Sequence, residues 1–154
     1  MVEIRRVESF VDMLDYLNLA RVNPFLVEDF SEGFDAYCAY VLSSFVNRRF
    51  LGWVAFDDNR PIGYLVAEKP QLKQELRTFD LFVVEEFRGG LVTPLMIKEM
   101  IDFGLATTLN KLSFSTKALP KRHLEKLSPV PLHDEYESFY VTREDWEAVT
   151  GEEV

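Results

Sequence analysis

Apolar positions along the chain change period twice, which separates a helical first third from a run of strands and a mixed remainder. Val2 to Val7 reads as a short first strand. Ser9 is placed to cap a helix in which Phe10, Met13, Leu14 and Leu17 share one face. Asn23-Pro24 stops that helix, because a proline disfavours helical backbone at the residue before it. A loop carrying Glu28, Asp29 and Glu32 leads into a second helix from Asp35 to about Asn47, with Tyr37, Tyr40, Val41, Ser44 and Phe45 as its packing face.

From Phe50 the period shortens. Phe50 to Phe56 and Ile62 to Ala67 read as strands, joined in a hairpin by the turn cluster Asp57-Asp58-Asn59-Arg60-Pro61. Another strand runs from about Glu75 to Val84, with Phe79, Leu81 and Val83 alternating and Asp80 set among them. After Glu85-Glu86-Phe87-Arg88-Gly89-Gly90, a third helix extends from about Leu91 to Leu105. Leu95, Met96, Met100, Ile101 and Leu105 form its apolar side, and Pro94 falls in the first turn, where a missing N–H is harmless. Leu112 to Ser115 is a fifth strand, Pro120 opens a short helix through Leu127, and Glu137 to Thr142 is a last strand. Arg143 to Val154 is a helical or frayed tail. The order β-α-α-β-β-β-α-β-α-β places antiparallel strands before a β-α-β crossover. It predicts an α/β fold of mixed α+β type: a mostly antiparallel mixed sheet flanked by helices, not a doubly wound parallel one.

Composition narrows the picture. A chain of 154 residues suits a single domain over 1–154, and 47% hydrophobic residues suffice for a packed core. Lys and Arg total 17 against 26 for Asp and Glu, a formal net charge of −9. Such a chain repels nucleic-acid phosphates; the charge either serves solubility or suits a cationic partner, such as an amine or a basic protein surface. Cys38 is the only cysteine, so no intramolecular disulfide can form, and its apolar neighbours predict a buried structural thiol. Nothing after Met1 reads as a signal peptide and no uncharged run is long enough to span a bilayer, so no membrane partner and a cytoplasmic location are expected.

The candidate chemistry sits between Asp80 and Phe103, where a strand enters a glycine-rich turn and then a helix. Gly89 and Gly90 let the backbone take left-handed conformations and approach a ligand closely. Successive N–H groups at a helix N-terminus suit a pyrophosphate, and Arg88 adds charge at the rim. The same pair of glycines also serves as an ordinary tight turn. A metal reading of His133-Asp134-Glu135 is poor, since neighbours on an extended chain point to opposite faces.

This stretch resembles the acyl-CoA-binding motif of the GCN5-related N-acetyltransferases, the GNAT family, which reads roughly V-x-P-x-x-R/Q-x-x-G-x-G/A. Val83 matches the Val, Phe87 a frequent aromatic, Arg88 the Arg/Gln and Gly89 a glycine often found there. Glu85 replaces the Pro, and Leu91 and Thr93 replace the two small residues. Gly52 to Leu65 is similar to the family's second and third strands. Leu124-Glu125-Lys126-Leu127-Ser128-Pro129 is similar to its fourth-helix pattern Y-E-K-x-G-F, with Pro120 at the usual Ala.

The resemblance implies that acetyl-CoA, or another acyl-CoA, is held by the main chain of Leu81, Phe82 and Val83 and by Arg88, Gly89, Gly90, Leu91, Val92 and Thr93. It implies direct attack of an amine, small or protein-bound, on the thioester. The amine must lose a proton. Asp80 and Glu85 are base candidates, as is Glu86, with Glu68 and Glu75 weaker. Asp80 is either solvent-facing or buried. The departing thiolate needs a proton, and the family's tyrosine position is Leu124, which leaves His123, Ser115 and Tyr140 as substitutes. A GNAT-fold binding module without catalysis is the alternative, and the paired monomers common in the family suggest a homodimer.

Overall fold

A computed structural model describes residues 1–23, 33–69, 75–106, 111–115, 132–135 and 138–152. Strand β1 (Val2–Arg6) is followed by helices α1 (Phe10–Arg21) and α2 (Phe34–Val46), then strands β2 (Phe50–Asp57), β3 (Arg60–Glu68) and β4 (Glu75–Val83). Helix α3 (Val92–Ala106), strands β5 (Lys111–Ser115), β6 (His133–Glu135) and β7 (Ser138–Thr142), and helix α4 (Arg143–Glu152) complete the described elements. The expected helix from Pro120 to Leu127 lies outside the described residues.

The strands form one seven-stranded sheet in the order β1-β2-β3-β4-β5-β7-β6. Only β4 and β5 pair in parallel. The expected mixed, mostly antiparallel α+β fold is therefore present. Asp58 and Asn59 close the β2–β3 hairpin with φ of 49° and 69°, the left-handed pair that a two-residue loop needs to match strand twist.

Each face of the sheet carries its own core. Met96, Ile97, Met100 and Ile101 of α3 pack with Trp53, Leu65, Phe114 and Val141. On the other face, Met13, Tyr16, Tyr37 and Val41 of α1 and α2 pack with Val54, Tyr64, Val66 and Phe82. Ser9 caps α1: its hydroxyl accepts from the Asp12 N–H at 3.3 Å, and the Asp12 carboxylate accepts from the Ser9 N–H at 3.1 Å.

Several expected faces shift. In α1 the buried residues are Met13, Tyr16, Leu19 and Ala20, whereas Phe10 and Leu14 remain 61% and 60% exposed. The packed stripe therefore follows the large ring of Tyr16 rather than the aliphatic positions. Tyr40 of α2 is exposed and its hydroxyl bonds Glu68, and burial together with that carboxylate pushes the phenol up to about 12. Cys38 is only partly buried. The single expected strand over 137–142 is a hairpin arm, with β6 before it. The tail is helical from Arg143 to Glu152.

The largest departure is in β4, where the expected alternation of Phe79, Leu81 and Val83 breaks. Val66 pairs with Asp80 and Ala67 with Thr78, so Phe79 is an extra residue in a β-bulge. Side chains alternate across a sheet, and one inserted residue reverses every later position. Leu76 belongs to the α3-side core, but Phe82, which would share its face in an unbroken strand, belongs to the α1–α2 core. The bulge likewise turns Asp80 toward α1 and α2.

Helix α4 is tied to the far edge of the sheet. His133 Nε2 lies 2.6 Å from Asp145 Oδ2, and the Thr142 hydroxyl donates to the same oxygen at 2.8 Å. These bonds, the one with His133 first, hold Asp145 below the usual carboxylate range. A carboxylate whose folded pKa lies below its unfolded one stabilises the fold above the unfolded value, and that contribution is lost as pH falls through the folded value. Asp145→Asn should therefore lower the urea midpoint modestly at pH 7, and the gap to the unaltered protein should close as the pH is brought down to about 3. A gap that persists unchanged in acid would contradict this tie.

Candidate functional site

The described part of the parallel pair β4–β5 ends early. Its register runs from Glu75↔Lys111 to Thr78↔Phe114, whereas β4 continues to Val83. Beyond the bulge, Leu81 to Val83 pair only with β3 among the described residues. Past the paired part, the main chain of β4 continues over Leu81, Phe82 and Val83, the stretch the sequence assigned to cofactor contact.

The chain then turns tightly. The Val84 N–H donates to the Ile62 carbonyl at 2.9 Å, and Glu85–Phe87 form one 3₁₀ turn. Gly89 follows with φ of 82°, a conformation that strains any residue with a Cβ. No atom lies within 4 Å of where a Cβ on Gly89 would stand, and at Gly90 only the Phe87 carbonyl does, at 3.6 Å. Among the described residues, open space therefore lies over both glycines.

Helix α3 starts immediately afterwards, with the Leu95 N–H donating to the Leu91 carbonyl at 3.0 Å. The N–H groups of Leu91, Val92 and Thr93 lie in the first turn, where no intrahelical acceptor exists, and Pro94 brings none. They carry the positive end of the helix dipole, which suits an anion.

Arg88 is built into this turn. Its Nε donates to the Val83 carbonyl at 2.8 Å and its guanidinium lies 5.7 Å from the centre of the Phe82 ring. It thereby ties the turn to the end of β4. Its terminal nitrogens have no partner among the described residues and can meet a phosphate. Glu86 is offset by Arg60 at 3.5 Å, an exposed pair that contributes little to stability but softens the acidity beside the turn. A cleft of about 440 Å³ opens here, lined by Val2, Phe87, Arg88, Gly90, Leu91 and Leu95. Leu91 is 73% exposed, so its side chain does not fill the glycine cradle.

Asp80 lies on the other face of β4 and is 9% exposed. The Tyr37 hydroxyl donates to its Oδ2 at 3.0 Å and the Tyr64 hydroxyl to the same oxygen at 2.6 Å. Asn23 Nδ2 donates to the Tyr64 hydroxyl at 3.0 Å, and the Tyr16 hydroxyl bonds that of Tyr37. Burial pushes all three phenols far above their ordinary range, so they remain protonated donors.

Of the residues singled out from sequence, the structure brings together Leu81, Phe82, Val83, Arg88, Gly89, Gly90, Leu91, Val92 and Thr93 at one strand-to-helix junction. Asp80 is buried, which resolves its two readings. Glu85 is exposed in the 3₁₀ turn, two residues past Val83, the end of β4 that Arg88 binds. Ser115 ends β5. Tyr140 stacks on His133 at the distant edge. His123 and Leu124 lie outside the described residues. Sequence reasoning missed Tyr16, Asn23, Tyr37 and Tyr64 as polar partners. The available signal was a tyrosine in each of three apolar runs facing a strand that carries a single acid.

No family model matches the sequence, and no curated protein matches it. Solved structures do. The PaiA N-acetyltransferase from Thermoplasma acidophilum, in complex with coenzyme A, superposes with a TM-score of 0.62 at 13% identity, covering 91% of this chain and 96% of that one. A point mutant of the spermidine N-acetyltransferase SpeG from Vibrio cholerae gives 0.68 at 13% identity, covering 97% and 98%. A dodecameric structure of spermidine N-acetyltransferase from Vibrio cholerae gives 0.61 at 13% identity, covering 94% and 95%. The likeness is one of fold: this chain has the GNAT acyltransferase fold. No helix among the described residues is long and apolar enough to cross a membrane.

Gly63 secures the junction from below. A Cβ there would stand 3.0 Å from the Phe82 carbonyl oxygen and 3.2 Å from a Val83 methyl. Gly63→Ala should push β4 away from β3 and destabilise the fold by about 1–3 kcal/mol in urea unfolding, the usual cost of overpacking. An unchanged midpoint would show that the end of β4 yields freely.

Proposed function

We propose that this GNAT-fold chain is an acyl-CoA-dependent N-acyltransferase acting on an amine, with acetyl-CoA as the first acyl donor to test. The observation that carries the reading is the junction at Arg88. There the end of β4, a left-handed Gly89 and the start of α3 meet in sequence order. A pyrophosphate fits the Gly89–Thr93 N–H groups and the free end of Arg88, because the space over Gly89 and Gly90 is open. A pantetheine arm fits beside Leu81 to Val83, where β4 continues past the paired part of β5. That the neighbouring PaiA structure holds coenzyme A supports this assignment.

Acyl-CoA supplies a thioester carbonyl; the amine nitrogen bonds to its carbon as the carbon–sulfur bond breaks. The chain's part is to position and to move protons. The main chain of β4 beyond the bulge orients the acyl group and offers N–H donors to its oxygen. Asp80, which accepts from the Tyr37 and Tyr64 hydroxyls, takes the proton the amine loses. Glu85 is the weaker base candidate, being exposed. The leaving sulfur takes a proton from Ser115, His123 or water, since the position that the family gives to tyrosine is Leu124. The acidic balance of the chain and the SpeG likeness support a cationic amine as acceptor, and assembly into a homodimer or a larger oligomer in the cytoplasm completes the reading.

Titration with acetyl-CoA by calorimetry tests the reading. The unaltered protein should give saturable heat. Gly89→Val should weaken binding by about tenfold or more, because a β-branched residue at positive φ displaces the N–H donors, and tenfold corresponds to about 1.4 kcal/mol. No heat from the unaltered protein would end the acyltransferase account. Binding without release of CoA across a panel of amines would instead leave a GNAT-fold binding module.

A further inference from the structure

Asp80 does not meet its tyrosines as a set of separate pairs. Tyr37 and Tyr64 both spend their only hydroxyl proton on Asp80 Oδ2. Tyr16 must then donate to Tyr37, because Tyr37 has no second proton to give. Asn23 donates to Tyr64 in the same sense. Every proton in the cluster therefore points toward one carboxylate oxygen: Tyr16 through Tyr37 from the helices, and Asn23 through Tyr64 from the sheet.

Such an arrangement has a direction. A proton on Oδ2 would compete with both donors, and one tyrosine would have to turn away inside a packed core. Tyr16 and Tyr64 are fully buried and Tyr37 nearly so, so a hydroxyl turned away would lose its bond inside the core. Among the described residues, no buried side-chain polar atom is left without a partner. Among the described residues, the titratable groups that act on the cluster from α1, α2, β3 and β4 are the three tyrosines, Asp80 and the Cys38 thiol.

We propose that Tyr37 and Tyr64 are positioning residues that hold Asp80 in its ionised, proton-accepting form, with Tyr16 and Asn23 fixing the direction of the relay. The proposal rests on the acyltransferase reading for the use made of Asp80, but the coupling itself is a property of the fold. Carboxylate hydrogen bonds favour the charged form, so loss of one donor raises the pKa of the carboxyl. Phenylalanine keeps each ring and its packing, so these variants remove the hydroxyl while retaining the aromatic core.

The experiment is a carbon-13 NMR titration of the Asp80 carboxyl in aspartate-labelled protein, assigned with Asp80→Asn, alongside the pH dependence of acetyl transfer from acetyl-CoA to an aliphatic diamine. Tyr37→Phe and Tyr64→Phe should each raise the Asp80 midpoint by about one to two pH units. Tyr16→Phe, acting through Tyr37, should raise it less. The acid limb of kcat/KM should move to higher pH by the same amounts. An Asp80 midpoint that stays in place in both Tyr37→Phe and Tyr64→Phe overturns the proposal. A midpoint that moves while the acid limb stays also overturns it, because Asp80 is then not the proton acceptor. A moving midpoint in a protein that transfers no acetyl group to any amine overturns the acyltransferase reading and leaves the tyrosine coupling standing.

Discussion

One extra residue in β4 governs the rest of the structure. With Phe79 out of register, the strand changes face between Thr78 and Asp80. Before the bulge, β4 pairs with β5 and packs its Leu76 against the α3-side core. After it, the strand presents Asp80 and Phe82 to α1 and α2 and continues past the paired part of β5. A parallel sheet that stayed in register would bury the whole β4 edge and leave nothing for a ligand to pair with.

The two halves of the site therefore share a cause. Both lie after the bulge: the main chain runs from Leu81 to Val83 into the Arg88–Gly89 turn and the start of α3. The reversed face carries the Asp80 carboxylate into a helix–sheet interface, where hydroxyl donors help to make its burial tolerable. Arg88 links strand and turn by donating to the Val83 carbonyl, so its role is partly structural. From sequence Arg88 is a charge at the rim and the match to the acyl-CoA motif's Arg/Gln, with no structural part.

Much of this was legible in the sequence, and the failures have physical reasons. Hairpin β2–β3 was visible because Asp57-Asp58-Asn59-Arg60-Pro61 contains the residues that tolerate left-handed backbone. The strand, turn and helix around Gly89 were visible because the period changes from 2 to 3.6 across two glycines. The bulge was invisible, because Phe79, Asp80 and Leu81 read as ordinary alternation and only the pairing with β3 reveals the inserted residue. The expected face of α1 leaves out Tyr16, whose ring is wholly buried and whose hydroxyl is satisfied, because those partners meet it only in the fold. The Asp80 cluster was missed for the same reason: its four partners come from α1, its C-terminal flank, α2 and β3, and only the fold brings them together.

The central claim is that one ligand spans the end of β4 and the Gly89–Thr93 turn. Amide chemical-shift mapping with coenzyme A tests it most directly, because it locates binding without requiring turnover. The account predicts the largest shifts at the N–H groups of Leu81 to Val83 and of Gly89 to Thr93, with little change along β6 and α4. Saturable shifts confined to other parts of the fold, or no shifts at all, would contradict it.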